Sequence, residues 1–184
     1  RGETPIYSYG EGVALGNGLG TGFVGLVLGV LSAAVLRRPG HRVIGWTLAG
    51  SALFWAADGL SEAYVRLSTV TEDALPGLTF AVWFLFRFTA LLTATIVVLP
   101  LLFPEGRFLP GRWGAASWGC MGAMVASSLC FVVVPYRELT TPRRLPPGVD
   151  LDPTTITATA PYADLLTGAF QLVSLVGLVV PVGV

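Results

Sequence analysis

The sequence predicts an all-α integral membrane protein, a bundle of about five transmembrane helices. Three observations carry that expectation. The 184-residue chain is 53% hydrophobic and 12% charged, with a mean hydropathy of +0.72, whereas a soluble domain carries about 25% charged residues to meet water. Its apolar residues gather into stretches of roughly 20, the length that crosses a ~30 Å hydrocarbon core. Short segments rich in Arg, Pro and Gly separate those stretches, as in Arg37-Arg38-Pro39-Gly40-His41-Arg42.

Taken in order, residues 1–16 are polar, contain Gly and Tyr, and lack apolar periodicity. The first span is 17–36, closed by the basic loop just quoted. The second is 43–67, growing polar toward its end, and a short acidic loop with Glu72 and Asp73 follows. The third, 78–103, is rich in aromatics and is expected to break near its end at Pro100. A tight loop, 104–112, leads to the fourth span at 113–134. Residues 135–161 form the longest polar segment, where Pro135, Pro142, Pro146, Pro147, Pro153 and Pro161 argue against a regular helix. The fifth span is 162–184. The chain starts at Arg1 without a signal-peptide pattern and stops inside an apolar run with no charged flank, as expected of a piece of a longer protein.

Orientation follows from the density of Arg in short loops. The 37–42 loop holds Arg37, Arg38 and Arg42, and the 104–112 loop holds Arg107 and Arg112, whereas Arg137, Arg143 and Arg144 are spread over a longer stretch. Density therefore puts the two tight loops in the cytoplasm and residues 1–16 and 135–161 outside.

Several chemistries are disfavoured. A formal net charge of zero argues against a nucleic-acid binder. Gly20-Thr21-Gly22-Phe23-Val24-Gly25 spells a dinucleotide fingerprint, but it lies inside an apolar span, follows no strand, and has no acidic residue until Asp58. His41 stands alone in a basic loop, without the second His or Cys that a metal centre needs. No Ser/His/Asp arrangement and no phosphate-binding loop is visible, so no cofactor, metal or catalytic residue is expected in this chain. Cys120 and Cys130 fall on one helix, ~15 Å apart along its axis, too far to bridge each other, and read as small packing residues.

Two seams of small residues point to close helix contacts. Gly18, Gly22, Gly25, Gly29 and Ala33 recur at helical spacing on the first span. Gly45, Ala49, Ala52, Ala56, Gly59 and Ala63 step by four and three along the second. In lipid, where apolar burial supplies no drive between helices, such residues let backbones approach closely; the two seams meeting each other would satisfy both.

Intramembrane charge is the sharpest local signal, because a lone charge in lipid costs several kcal/mol. Asp58, Glu62 and Arg66 share one face of the second span, and Glu62 precedes Arg66 in the favoured order for a helical ion pair. Arg87 in the third span lies at the depth of Asp58, roughly 13 Å in from the outer loop at ~1.5 Å per residue. A buried Asp58–Arg87 ion pair is expected, either fixing helix register or lining an ion path, proton relay or ligand site. Phe80, Trp83, Phe84, Phe86 and Phe88 surround Arg87 in sequence, as an interfacial belt or a cation–π cage.

The two tight loops carry a resemblance. Arg38-Pro39-Gly40-His41-Arg42-Val43-Ile44-Gly45-Trp46 resembles a recurrent RPGNPIGW element. Leu102-Phe103-Pro104-Glu105-Gly106-Arg107-Phe108-Leu109-Pro110-Gly111-Arg112-Trp113 resembles an LFPDGRLPSRRW element. In this order and spacing they resemble the N-terminal membrane region of actinobacterial sensor histidine kinases, departing in His41-Arg42 for the usual Asn-Pro and in the extra Phe108. The resemblance implies a multi-pass input domain in the bacterial plasma membrane, within a two-component system, with any phosphoacceptor and ATP-binding domains lying beyond the last helix. On that reading the partners are the lipid bilayer and a homodimer or other membrane chains, and residues 135–161, too few for a core of their own, would pack on the helix ends and take a lipid or amphiphile as stimulus. Physical roles stand beside it: a tight turn at Pro104-Glu105-Gly106-Arg107, with Gly106 at positive φ, and Trp46 and Trp113 as interfacial anchors. Two other readings remain open, a transporter or channel subunit in which Asp58, Glu62 and Arg87 line a pathway, and a structural subunit of a membrane complex.

Overall fold

A computed structural model describes residues 18–71, 75–88, 90–102, 106–108, 111–135 and 153–179. Among the described residues all regular structure is helical: α1 (Leu19–Leu36), α2 (Arg42–Thr71), α3 (Leu78–Phe88), α4 (Ala90–Leu102), α5 (Arg112–Val133), a 3₁₀ turn (Thr157–Tyr162) and α6 (Ala163–Val179). Helices α1, α5 and α2 as far as Ser68 are long and apolar enough to cross a membrane, at 18, 22 and 27 residues, and α3 with α4 makes a fourth such unit if the bent pair is one span. Helix α6 has 17 described residues, ~25 Å at ~1.5 Å per residue, less than a ~30 Å core. The rest of the expected fifth span, 180–184, lies outside the described residues, as do residues 1–17.

The third expected span departs from a single helix. Its two halves meet at 45°, not at Pro100, which sits within α4, two residues before its end. Packing differs on the two sides of the bend. On α3, Leu78, Ala81 and Val82 join Val65 of α2 in one buried cluster; on α4, Ala94, Val97 and Leu101 join Cys120 and Met124 of α5, with Phe170 and Val173 of α6 against them. The two halves thus bury apolar residues in different clusters, although α3 also touches α5 and α4 also touches α2. Helix α2 runs four residues beyond its expected end at 67, and Pro161, expected to exclude regular structure, is accommodated near the end of the short 3₁₀ turn.

Helices α1 and α2 form a hairpin whose contact is set by the absence of side chains. A Cβ on Gly25 would lie 2.8 Å from the Ala56 nitrogen and 3.0 Å from the Ala52 oxygen, and one on Gly59 would lie 2.6 Å from the Gly22 nitrogen. Gly18 abuts Gly59 and Ala63 in the same way, and a Cβ on Gly29 would rest 3.8 Å from that of Ala52. At the other end Gly45 leaves room for the Leu36 side chain, and the Ser32 hydroxyl donates to the Gly45 carbonyl at 2.9 Å. Ala49 is half-buried, and Ala33 is exposed, off the contact. The GxGxxG letters thus lie inside α1, where Gly25 faces α2 and Gly22 meets Gly59 through its backbone, a Cβ on Gly22 itself meeting nothing within 4 Å.

Replacing Gly59 or Gly25 with Leu should force the hairpin apart and cost about 1–3 kcal/mol. Gly50→Ala, where a Cβ would meet nothing within 4 Å, should be neutral or stabilise by up to about 1 kcal/mol. Unfolding in mixed micelles followed by far-ultraviolet circular dichroism would read both, and equal midpoints for Gly59→Leu and Gly50→Ala would refute the close contact.

Candidate functional site

Burial selects the polar groups that have to be accounted for. Among the described residues the buried charged side chains are Asp58, Glu62 and Arg87, at 3%, 7% and 1% exposure. Asp58 and Glu62 stand one turn apart on α2, with Val65 and Ser68 buried further along the same helix. Glu62 Oε2 accepts a hydrogen bond from Thr21 Oγ1 of α1 at 3.2 Å, a tie across the hairpin that helix spacing did not suggest. Arg66, placed by spacing on the same face, is exposed. Trp55 of α2 reaches α4, its Nε1 donating to Thr95 Oγ1 at 2.9 Å.

Arg87 closes the end of another helix. Its Nη1 donates to the carbonyls of Phe131, at 2.9 Å, and Val134, and its Nη2 donates to Thr155 Oγ1 at 3.4 Å. A helix leaves its last four carbonyls without intrahelical donors, and a cation there also meets the negative end of the helix dipole. The neighbouring carbonyls are served by the segment leading into α6. Thr154 Oγ1 donates to Val132 O at 2.7 Å. The Ile156 amide and Thr159 Oγ1 donate to Val133 O at 2.8 and 3.1 Å. Trp83 of α3 completes the junction, its Nε1 donating to Thr154 Oγ1 at 3.0 Å. All four carbonyls from Phe131 to Val134 therefore have partners, drawn from α3 and from residues 154–159.

Helix α3 packs against both α2 and α5, so Asp58 and Arg87 belong to adjacent helices and both are buried. The aromatic residues of α3 mostly meet one another: Trp83 and Phe88 lie edge to face at 5.1 Å, Phe84 and Phe88 stack at 5.5 Å, and Phe84 also meets Phe54 of α2 at 5.5 Å. Phe80 is exposed at the edge of this ladder, and Phe86 turns instead to the α2–α3 core.

The two loop motifs come together at the other end of α2. Gly106 adopts φ 75°, and a Cβ there would rest 3.5 Å from that of Val43, so the 106–108 turn lies on the first turn of α2. Arg38, Pro39, Gly40, Arg42, Arg107 and Arg112 are exposed, Trp46 is 68% exposed, and the Arg112 guanidinium stands 5.8 Å over the Trp113 ring. Pro104 and Glu105 lie outside the described residues. Both cysteines are free thiols; Cys120 is buried and its Sγ donates to the Val173 carbonyl at 3.4 Å.

Sequence reasoning missed Thr154, Thr155 and Thr159, which were absorbed into a Pro-rich polar segment. Their signal was a run of four Thr in the six residues after Pro153, residues whose hydroxyls favour backbone carbonyls and amides over regular structure. Comparison with known family models, with curated proteins and with solved structures returns no match to this chain.

Arg87→Met keeps the length of the side chain and removes its donors, and should cost about 3 kcal/mol or more. Thr154→Val should cost about 1 kcal/mol. Both should speed hydrogen exchange at the Ile156 amide, measured by NMR in micelles; unchanged exchange in Arg87→Met would contradict the junction.

Proposed function

We propose that this chain is a multi-pass membrane input module of a bacterial sensor histidine kinase, passing a signal from its outer face through α6. Membrane placement is supported by a polarity reversed from that of a soluble protein. Leu53, Leu60, Leu165 and Phe80 are 75, 71, 70 and 65% exposed, while Asp58, Glu62, Arg87, Ser117 and Ser128 are buried. So large an apolar coat is an aggregation liability in water and a solvated surface in lipid. On this reading α3 with α4 makes one bent span, and α6 belongs to a fifth that ends beyond residue 179.

The observation that carries the sensory reading is the junction at the end of α5. Residues 154–159 are hydrogen-bonded to α5 and α3 on one side and run directly into α6 on the other. A stimulus acting on the polar segment before them, a lipid or amphiphile at the outer surface, would alter these bonds and shift α6, as small helix displacements do in other switches. Asp58 belongs to the same device as an ion-pair partner of Arg87, holding α2 to α3. The loop motifs 38–46 and 102–113 supply the resemblance to histidine kinase membrane regions. Dimerisation would let the displaced α6 act on a catalytic portion in the partner chain.

The test uses the natural gene product in native membranes. It should resist carbonate extraction, migrate well above 19.4 kDa, and incorporate phosphate from ATP in an acid-labile, histidine-bound form. Thr154→Val and Arg87→Met should change that labelling several-fold, and in unfolding experiments Asp58→Asn and Arg87→Met should couple by about 1–3 kcal/mol in a double-mutant cycle. Release by carbonate would sink the membrane placement. Solute or proton flux in proteoliposomes, lost in Asp58→Asn and without phosphohistidine, would sink the sensory reading in favour of a pathway.

A further inference from the structure

An apolar groove of about 1000 Å³ runs along α5 from Gly111 to Leu129, between α4, α5 and the start of α2. Its origin lies in the sequence of α5. Gly111, Ala115, Gly122 and Ala126 line it at spacings of four, seven and four, opening gaps between Trp118, Val125 and Leu129 of the same face, and a Cβ on Gly122 would meet nothing within 4 Å. Val98 and Leu102 of α4 form the facing wall. Trp118 rises from the floor, 68% exposed, held edge to face by Phe108 at 4.7 Å.

One end of this groove is basic. Arg107 is among its lining residues, Arg112 opens α5 there, and the 106–108 turn lies on the first turn of α2, which begins at Arg42. All three are exposed, and counting Glu105 of the same turn the segments that meet here carry a formal charge of +2 beside a cleft whose walls carry hydrocarbon. An apolar cleft ending in guanidinium groups at one level only is complementary to an amphiphile with an anionic head. Guanidinium matches phosphate oxygens in a bidentate fork, and basic pockets beside transmembrane helices hold anionic lipid heads, each Arg contributing about fivefold in affinity. A helix from a second copy would fill the apolar length but would bring no anion to the mouth.

We propose that this groove is a binding site for an anionic phospholipid, the acyl chain lying along Gly122 and Trp118 and the phosphate on Arg107, with Arg42 and Arg112 beside it. The site rests on the membrane placement above and is independent of the sensory reading.

Native mass spectrometry of the delipidated full chain, titrated with dioleoyl phosphatidylglycerol or dioleoyl phosphatidylcholine, tests it. One phosphatidylglycerol should bind at least about fivefold more tightly than phosphatidylcholine. Arg107→Gln, a change in an exposed turn, should remove most of that preference, whereas Arg37→Gln, outside the groove, should keep it. Gly122→Phe should displace both lipids. Equal loading of the two lipids, or full preference retained in Arg107→Gln, overturns the proposal. So does efficient disulfide formation between copies of Gly122→Cys in a Cys120→Ser/Cys130→Ser background, which would show a second chain in the groove. These outcomes concern lipid choice, and carbonate extraction separately tests the membrane placement.

Discussion

A helix that ends among other helices has to find donors for carbonyls that its own backbone cannot satisfy. In this protein that requirement falls at Phe131 to Val134, and its solution ties together three parts of the chain. Arg87 comes from α3, Thr154, Ile156 and Thr159 come from the segment ahead of α6, and the carbonyls belong to α5. A buried guanidinium is tolerable because it replaces its hydration with carbonyl oxygens at the negative end of a helix dipole. The position of α3 then follows. It has to deliver Arg87 to α5 while burying Leu78, Ala81 and Val82 against α2, and the 45° bend frees α4 to pack on α5 and α6.

The hairpin of α1 and α2 is fastened by a different physics. There Gly18, Gly25 and Gly59 remove the side chains that would hold the backbones apart, so attraction comes from close atomic contact along the helices. Polar ties pin the register at both ends, Thr21 to Glu62 and Ser32 to the Gly45 carbonyl. One fastening depends on what is missing from the sequence and the other on donors brought from far along it.

Small residues do opposite things on different helices. On α1 and α2 they are filled by the partner backbone; on α5, Gly122 and Ala126 leave a groove beside the basic turn at Arg107. The distinction matters for function because a filled seam is structural while an open one is available to a ligand. The two ends of the molecule also differ in chemistry, with a hydrogen-bonded junction around Arg87 at one and a guanidinium-rich rim at the other.

The sequence by itself determined the helical class and the positions of three long apolar helices, because length and hydropathy are local and additive properties. It located the small-residue seams and the charges at Asp58, Glu62 and Arg87, since both are defined by spacing along one helix. It also anticipated the turn at Gly106, whose φ depends only on its neighbours. Only the tertiary structure decided where those groups point. Glu62 turns to Thr21, Arg66 is exposed, Arg87 takes carbonyls of α5, and Thr154 and Thr159 in a Pro-rich stretch donate to two more of them. The pairings among these join residues 22 or more apart in the chain, and a hydrogen bond of that kind leaves no period in the sequence to read. The same holds for the bend between α3 and α4, whose buried residues join different clusters.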